Sequence, residues 1–468
     1  MGATYTAGEA KIRPGVYSRY ENKSTGAIAG ADDGKVAVVI QSNWGPLGVA
    51  TVLESSEGIA KTYGNGGNVD VAQNIYAAGA TQVIIVRVGS GGTKGKLDIN
   101  DSADAKVVTL TTKYEGNRVL NVTIREKLSD ANVKEFIVYE DGAVKETLTF
   151  AKGAAEPENL VNAIKEGSNF FDAAKVSDGS GTVGAINQIA ITAGTNPVIT
   201  NEDYSSAFAV LEAYKFNVIA VDTDTTAVHL LLHAFIKRVC ENGLLCMGVV
   251  GEPTSVAFAD RCAHATAFND EKMVYVGGAY KEADGTVVEG YKAAAVIAGV
   301  VASTPSNQSI VHRIIAGAFE PVEKLTNSQY ERGIKSGMLL FSENSDGGLW
   351  IDSGVNTLVS PAQNQDEGWK KIKRTKVRFE LFDRMDRTIA PLIGKINCDS
   401  DGIANVVQLG GSVLTAMAAE NKILTGGAFV EDIANPHKGD SAWFIIDVDD
   451  IDTLEKIYLN YKLRFSSN

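Results

Sequence analysis

Cysteine is scarce in this chain of 468 residues, which holds only Cys240, Cys246, Cys262 and Cys398. No CxxC spacing occurs, so buried free thiols are expected, and the lack of a disulfide framework fits a reducing cytoplasm. Proline is thin at 10 residues against 47 glycines, a balance that fits many turns and close backbone approaches rather than disorder. Positive charge also falls short, with 44 Lys and Arg against 57 Asp and Glu and a net charge of −13. A phosphate backbone repels such a chain, so nucleic acid is not an expected partner. No run of about 18 uninterrupted apolar residues is present, so no membrane span and no direct membrane insertion are expected. The opening MGATYTAGEAKIRPG carries no apolar run, so no signal peptide is expected.

Catalytic and metal-binding patterns are missing in the same way. The stretch Gly89 to Lys96 follows an apolar strand, but a phosphate loop needs glycine where Ser90 stands and a hydroxyl where Leu97 stands. His229 and His233 have the i, i+4 spacing of a zinc-binding helix, yet position 230 is Leu rather than the required Glu. Cys262 and His264 stand two apart on a helical stretch and cannot face each other. No GxSxG elbow occurs. The sequence therefore points to no enzyme, no cofactor, no metal and no catalytic residue. The alternative reading is an α/β hydrolase or nucleotide-binding enzyme with a strand-end site near Asp222, Asp224 and His229, where α/β enzymes place functional carboxylates.

What is present reads as α/β and α+β multidomain architecture. Buried strands at 36–41 and 82–88 flank helices at 57–63 and 69–80, the grammar of a parallel pair with a crossover. From 200 the alternation resumes, with strands at 217–221, 244–250 and 273–276 between helices. This predicts a central mixed, largely parallel sheet with helices on both faces. Between them, 96–194 is rich in Val, Thr and charge with an Asp141-Gly142 turn, a β-rich inserted domain. The expected divisions are an N-terminal arm at 1–30, an α/β body at 31–95 and 195–345, the insert at 96–194, a C-terminal α+β inner domain at 346–453 and a strand arm at 454–468.

Two features stand out from this background. Near the end, Ile457, Leu459, Tyr461, Leu463 and Phe465 alternate with Tyr458, Asn460, Lys462 and Arg464, which predicts a half-buried strand. No turn follows that would return a partner, so it must pair with an earlier strand or another molecule. The early segment KIRPGVY, with Ile12, Pro14, Val16 and Tyr17, is also extended, and Pro14 restricts it to an edge or an arm. The second feature is charge: Lys370, Lys371, Lys373, Arg374, Lys376, Arg378, Arg384 and Arg387 face only Glu380, Asp383 and Asp386, eight basic against three acidic, a local +5. Such segregation reads as a docking face for an acidic partner.

Several short stretches in order along the chain complete the reading. These are KIRPGVY, Asn43-Trp44-Gly45-Pro46, Tyr275-Val-Gly-Gly278, the Ala-rich helix 293–302, Leu325-Thr-Asn-Ser-Gln329, Gly354-Val-Asn-Thr-Leu358, Lys371 to Arg378 and Ile393-Gly-Lys395. Together they make the chain resemble the contractile tail sheath proteins of phages and of phage-derived particles such as R-type bacteriocins. The resemblance implies a structural subunit assembled in the bacterial cytoplasm and carried in the virion tail or phage-like particle. It implies stacked hexameric rings around an inner tail tube, with baseplate and tail terminator proteins as further partners. It also implies exchange of terminal arms between subunits, hinges near 18–32 and 449–453, and tube or neighbour contact through 370–378 and the helix 402–421.

Overall fold

The computed structural model describes residues 3–4, 17–18, 33–344 and 346–464. Two compact units divide the chain: Asp32–Phe379 with Ile451–Asn468, and Met1–Ala31 with Glu380–Asp450.

The larger unit is built on seven strands, β1 (Lys35–Ile40), β2 (Ala50–Leu53), β3 (Gln82–Arg87), β4 (Val218–Val221), β5 (Met247–Gly251), β6 (Met273–Val276) and β7 (Met338–Leu339). Their order is β7-β6-β5-β4-β1-β3-β2, parallel throughout except for β2 at the edge. Sequences such as VAVVI within β1 and MVYV in β6 are apolar at every position because both sheet faces are covered. Val36, Val38 and Ile40 enter one core with helices α1 (Ser56–Tyr63), α2 (Val69–Ala77) and α6 (Tyr291–Ser303). Ala37 and Val39 point the other way, to α3 (Asn201–Leu211), α4 (Thr226–Glu241) and α5 (Phe258–Phe268). Small residues on α6 let it come close to α2: a Cβ on Gly299 would sit 2.3 Å from the Ile75 carbonyl oxygen. Thr200 starts α3 with a capping box to Asp203, as the Thr-x-x-Asp spacing prescribes.

The insert is two antiparallel sheets around its own core. One holds Lys94–Asn100, Lys106–Glu115 and Phe171–Lys175; the other holds Asn121–Lys127, Asp130–Glu140, Ala143–Ala151 and Ile186–Ala190. The Asp141-Gly142 turn has positive φ at both residues, 52° and 77°, as a tight hairpin requires. Bridges Ser90↔Val198 and Thr93↔Thr195 close its neck. Trp44, from the turn after β1, is buried in the insert's core, and Arg118 lies over its ring. Arg87 is fully buried beneath that turn and donates to the carbonyls of Ser42, Gly45 and Glu115.

The expected start of the C-terminal domain at 346 moves. Leu349, Ile351 and Ile372 bury in the same core as the central sheet, so the hairpin Phe341–Glu343/Leu349–Ile351 belongs to the α/β unit. Helix α7 runs Ile372–Ile389, and residues from Glu380 onward count with the smaller unit. That unit also holds α8 (Ser400–Ala419) and an antiparallel ribbon of β8 (Ala428–Glu431) and β9 (Phe444–Asp447). By length and composition α8 could cross a membrane, which the sequence reading did not anticipate. Here its apolar stripe packs inward, with Gly410 placed so that a Cβ would meet the Phe429 ring at 2.6 Å. A four-membered ionic cluster sits in the same unit: Arg384 and Lys422 each pair with both Glu380 and Glu420 at 2.5–2.6 Å.

Candidate assembly interfaces

The expected terminal strand is not formed. Residues 451–464 make no helix or strand, and among the described residues 457–464 meet no ladder partner. Ile457 and Leu459 are each 69% exposed, Tyr461 77% and Leu463 79%. Exposure of alternate large apolar side chains is costly, and a strand face needs a sheet to cover it. Phe465, Ile12, Pro14 and Val16 lie outside the described residues. The backbone of Tyr17 pairs with Ala3 in a two-residue parallel ladder.

The β8–β9 ribbon is the complementary feature, and among the described residues no third strand joins it. Its inner face carries Phe429, stacked on Phe444 at 5.2 Å. On its outer face Val430 and Ile445 stand opposite each other, 47% and 48% exposed. A two-stranded ribbon leaves N–H and C=O groups unpaired along both edges, which is the template for strand addition.

The basic run is employed inside the chain, a correction to the docking-face expectation. Lys373 and Lys376 are buried, at 3% and 8% exposure, and cannot meet a partner surface. Lys376 donates from Nζ to the carbonyls of Val301 and Thr304, satisfying the otherwise orphaned C-terminal end of α6. Lys370 pairs with Glu367 at 2.8 Å and Arg374 with Asp366 at 3.1 Å. Arg378 pairs with Glu271 at 2.6 Å and lies over the Trp369 ring. Lys371 reaches Asp452 at 2.6 Å and Glu455 at 3.0 Å, at the base of the exposed terminal segment.

The strand-end carboxylates are equally committed. Asp222 follows β4 and Gln41 follows β1, at the switch point where the chain order reverses across the sheet and α/β enzymes bind ligands. Here Asp222 fills the place itself. Its Oδ2 accepts from the Gln41 backbone N–H (2.5 Å) and Asn68 Nδ2 (2.9 Å), and its Oδ1 from the Tyr204 hydroxyl (2.6 Å). Burial pushes its pKa up to about 6 against the pull of these donors. Asp224 accepts from the Tyr291 N–H at the start of α6 and is likewise raised by burial to about 6. His229 is buried with Nε2 on the Thr223 carbonyl, and burial lowers its pKa. His233 pairs with Asp270 rather than with His229. Among the described residues no cluster of three or more His, Cys, Asp or Glu side chains is arranged to hold a metal.

Residues 198–357 match the family model described as phage tail sheath protein central domain. Over that stretch the chain is similar to phage tail sheath proteins. A relative from Bacillus subtilis (strain 168), the phage-like element PBSX protein XkdK, is 24% identical over 99% of this chain and the whole of its own length. The fold is similar to the sheath tail protein of Desulfitobacterium hafniense, with a TM-score of 0.71, 18% identity and coverage of 93% of this chain and all of that one. It is also similar to the anti-feeding prophage helical sheath in its contracted state, with a TM-score of 0.54, 10% identity and coverage of 97% and 99%.

Arg87, Lys376 and Asp222 all serve the fold, each buried and bonded to backbone or side-chain groups of the same unit. Sequence reasoning missed Arg87, though a lone arginine inside the run QVIIVR was a visible signal that a buried cation needs carbonyls nearby.

Proposed function

We propose that the chain is the structural subunit of a contractile sheath, without enzymatic activity, that polymerises as stacked six-subunit rings around an inner tube. On triggering, the stack shortens and widens and drives the tube through a cell envelope. Assembly takes place in the bacterial cytoplasm, and baseplate, terminator and tube proteins are the further partners. The match of residues 198–357 to the sheath central-domain model supports the structural role, and the likeness to an anti-feeding prophage sheath in a contracted state supports the mechanism. The observation that carries the reading is the exposed, alternating terminal segment beyond Glu455, which has the pattern of a strand and no strand to pair with.

In this reading Ile457, Leu459, Tyr461, Leu463 and Phe465 of one subunit add a strand to the β8–β9 ribbon of another, and the N-terminal segment around Ile12, Pro14, Val16 and Tyr17 serves as a second arm. Main-chain hydrogen bonds give direction, and alternate side chains give specificity. At roughly 1.5–3 kcal/mol per buried large side chain, the four exposed apolar residues give on the order of 6–12 kcal/mol before ordering costs. That is enough to tether rigid bodies while they slide from one packing to another.

Deleting 457–468 tests this. The expected result is a folded monomer that forms no tubes under electron microscopy. Tubes of normal length from the deleted chain overturn the proposal.

A further inference from the structure

We infer that Lys371, with Ser309, is a launch clamp: it holds Asp452 and Glu455 on the arm's own subunit and so fixes where the exchanged segment departs toward a second copy of this chain. This rests on the arm reading above. The exposure pattern marks the clamp's limits. Ile451, Thr453 and Glu455 are half-buried while Asp452 and Leu454 are exposed, the alternation of an extended segment lying on a surface; from Lys456 onward every described residue is exposed. Contact with the body therefore ends at Glu455.

The clamp is built from both sides. Lys371 Nζ lies 2.6 Å from Asp452 Oδ2 and 3.0 Å from Glu455 Oε2. The Ser309 hydroxyl donates to Glu455 Oε1 at 3.1 Å, and the Thr453 hydroxyl reaches the same oxygen at 3.3 Å. Asp452 Oδ1 accepts from the Thr453 N–H, which turns the carboxylate toward the lysine. Lys371 is itself firmly mounted. Its backbone bridges to Val355, its N–H bonds the Gly368 carbonyl, and its carbonyl accepts from Thr375 in the first turn of α7. Lys373 adds positive potential at Asp452. Although desolvation works against the charged forms, the ion pairs win: Lys371 is held above and Asp452 below its ordinary range.

The consequence is a defined reach. The nine residues 456–464, fully extended, span about 30 Å. With the clamp open, 451–455 joins Lys456 as linker ahead of the strand. Effective concentration falls as the linker lengthens, and the fixed departure direction is lost as well. The expected hinge at 449–453 thus moves outward, because 452 and 455 are held and the chain is unconstrained only beyond them.

The experiment compares three full-length variants and one truncation with the parent. Asp452→Asn with Glu455→Gln changes only the tail and cannot unfold the body; Lys371→Glu breaks the clamp from the other side; Lys371→Glu with Asp452→Lys and Glu455→Lys restores it with charges swapped; deletion of 457–468 removes the arm. The readouts are the critical concentration for tube formation by sedimentation and hydrogen exchange at 451–455 in the monomer. The first two variants should raise the critical concentration and speed exchange at 451–455, and the swap should recover both. Parent-like assembly in the first two, or a swap that recovers nothing, overturns the clamp while the arm reading stands. Normal tubes from the deletion overturn the arm reading itself.

Discussion

Replacing Asp222 with Asn turns a buried acid at the sheet's switch point into a neutral amide of the same size. The ordinary aspartate value in an unfolded chain is about 3.9, and burial raises Asp222 to about 6 in the folded protein. The folded state therefore holds the proton more tightly than the unfolded state. Below about pH 4 both states are protonated and the group has no effect. As pH rises through the window from about 4 to 6 the folded state gives up a proton it prefers to keep, and stability falls; above that window the loss is constant. A two-unit shift corresponds to about 3 kcal/mol in full, of which about 2 kcal/mol falls between pH 4.5 and 7.5. Asparagine can present its oxygen to the Gln41 N–H and the Asn68 amide, while the bond to Tyr204 must reverse; that loss is a constant offset at all pH values in this range. Urea unfolding of parent and variant across that range isolates the term, because Asp224, Tyr204 and Tyr291 remain in both. Asp222→Asn should gain about 2 kcal/mol on the parent between pH 4.5 and 7.5. A difference that stays constant with pH refutes the assignment of Asp222 as a buried titrating acid.

Three further perturbations have defined outcomes. Lys422→Met removes the buried cation paired with buried Glu380 and should cost about 3 kcal/mol in denaturant unfolding. Asp270 is held at about 2, where the hydrogen bond from His233 and the charge of Lys272 overcome the opposing effect of burial. It contributes about 2.5 kcal/mol that is present above pH 4 and lost as pH falls through 2, so Asp270→Asn should flatten the acid limb of a stability curve. Gly116 has φ +147°, and a Cβ there would lie 1.8 Å from the Asn43 carbonyl oxygen. Gly116→Ala should lower stability by about 2 kcal/mol or more and disturb the near-ultraviolet signal of Trp44.

The α/β body was legible because its strands are short apolar runs between helices with ordinary stops, and both sheet faces are buried. The insert was legible for the opposite reason, since alternating Val and Thr with an Asp-Gly turn is hairpin chemistry. The basic run was misread because its partners are remote in sequence. Arg378 finds Glu271 across 107 positions and Lys371 finds Asp452 across 81. A window of local charge sees eight cations and three anions; the folded chain sees pairs. Lys376 closes the carbonyl end of α6, a role that no local charge count can show. Likewise Asp222 was visible as a strand-end acid, but only the fold reveals that Gln41, Asn68 and Tyr204 converge on it and leave it no room for chemistry.

The terminal segment shows where sequence and monomer must disagree. Period two is a statement about which side chains want the same environment, and it holds whichever molecule supplies that environment. In the single chain Ile457, Leu459, Tyr461 and Leu463 are exposed, yet six residues earlier the same period is already obeyed by Ile451, Thr453 and Glu455 against the chain's own body. The alternation thus continues across Glu455 while the surface beneath it stops. A chain selected only for its own stability would not carry four large apolar residues past the end of its support. The pattern is accounted for if a second surface begins where the first one ends, and the β8–β9 ribbon, with Val430 and Ile445 uncovered and both edges unpaired among the described residues, has the chemistry of that surface.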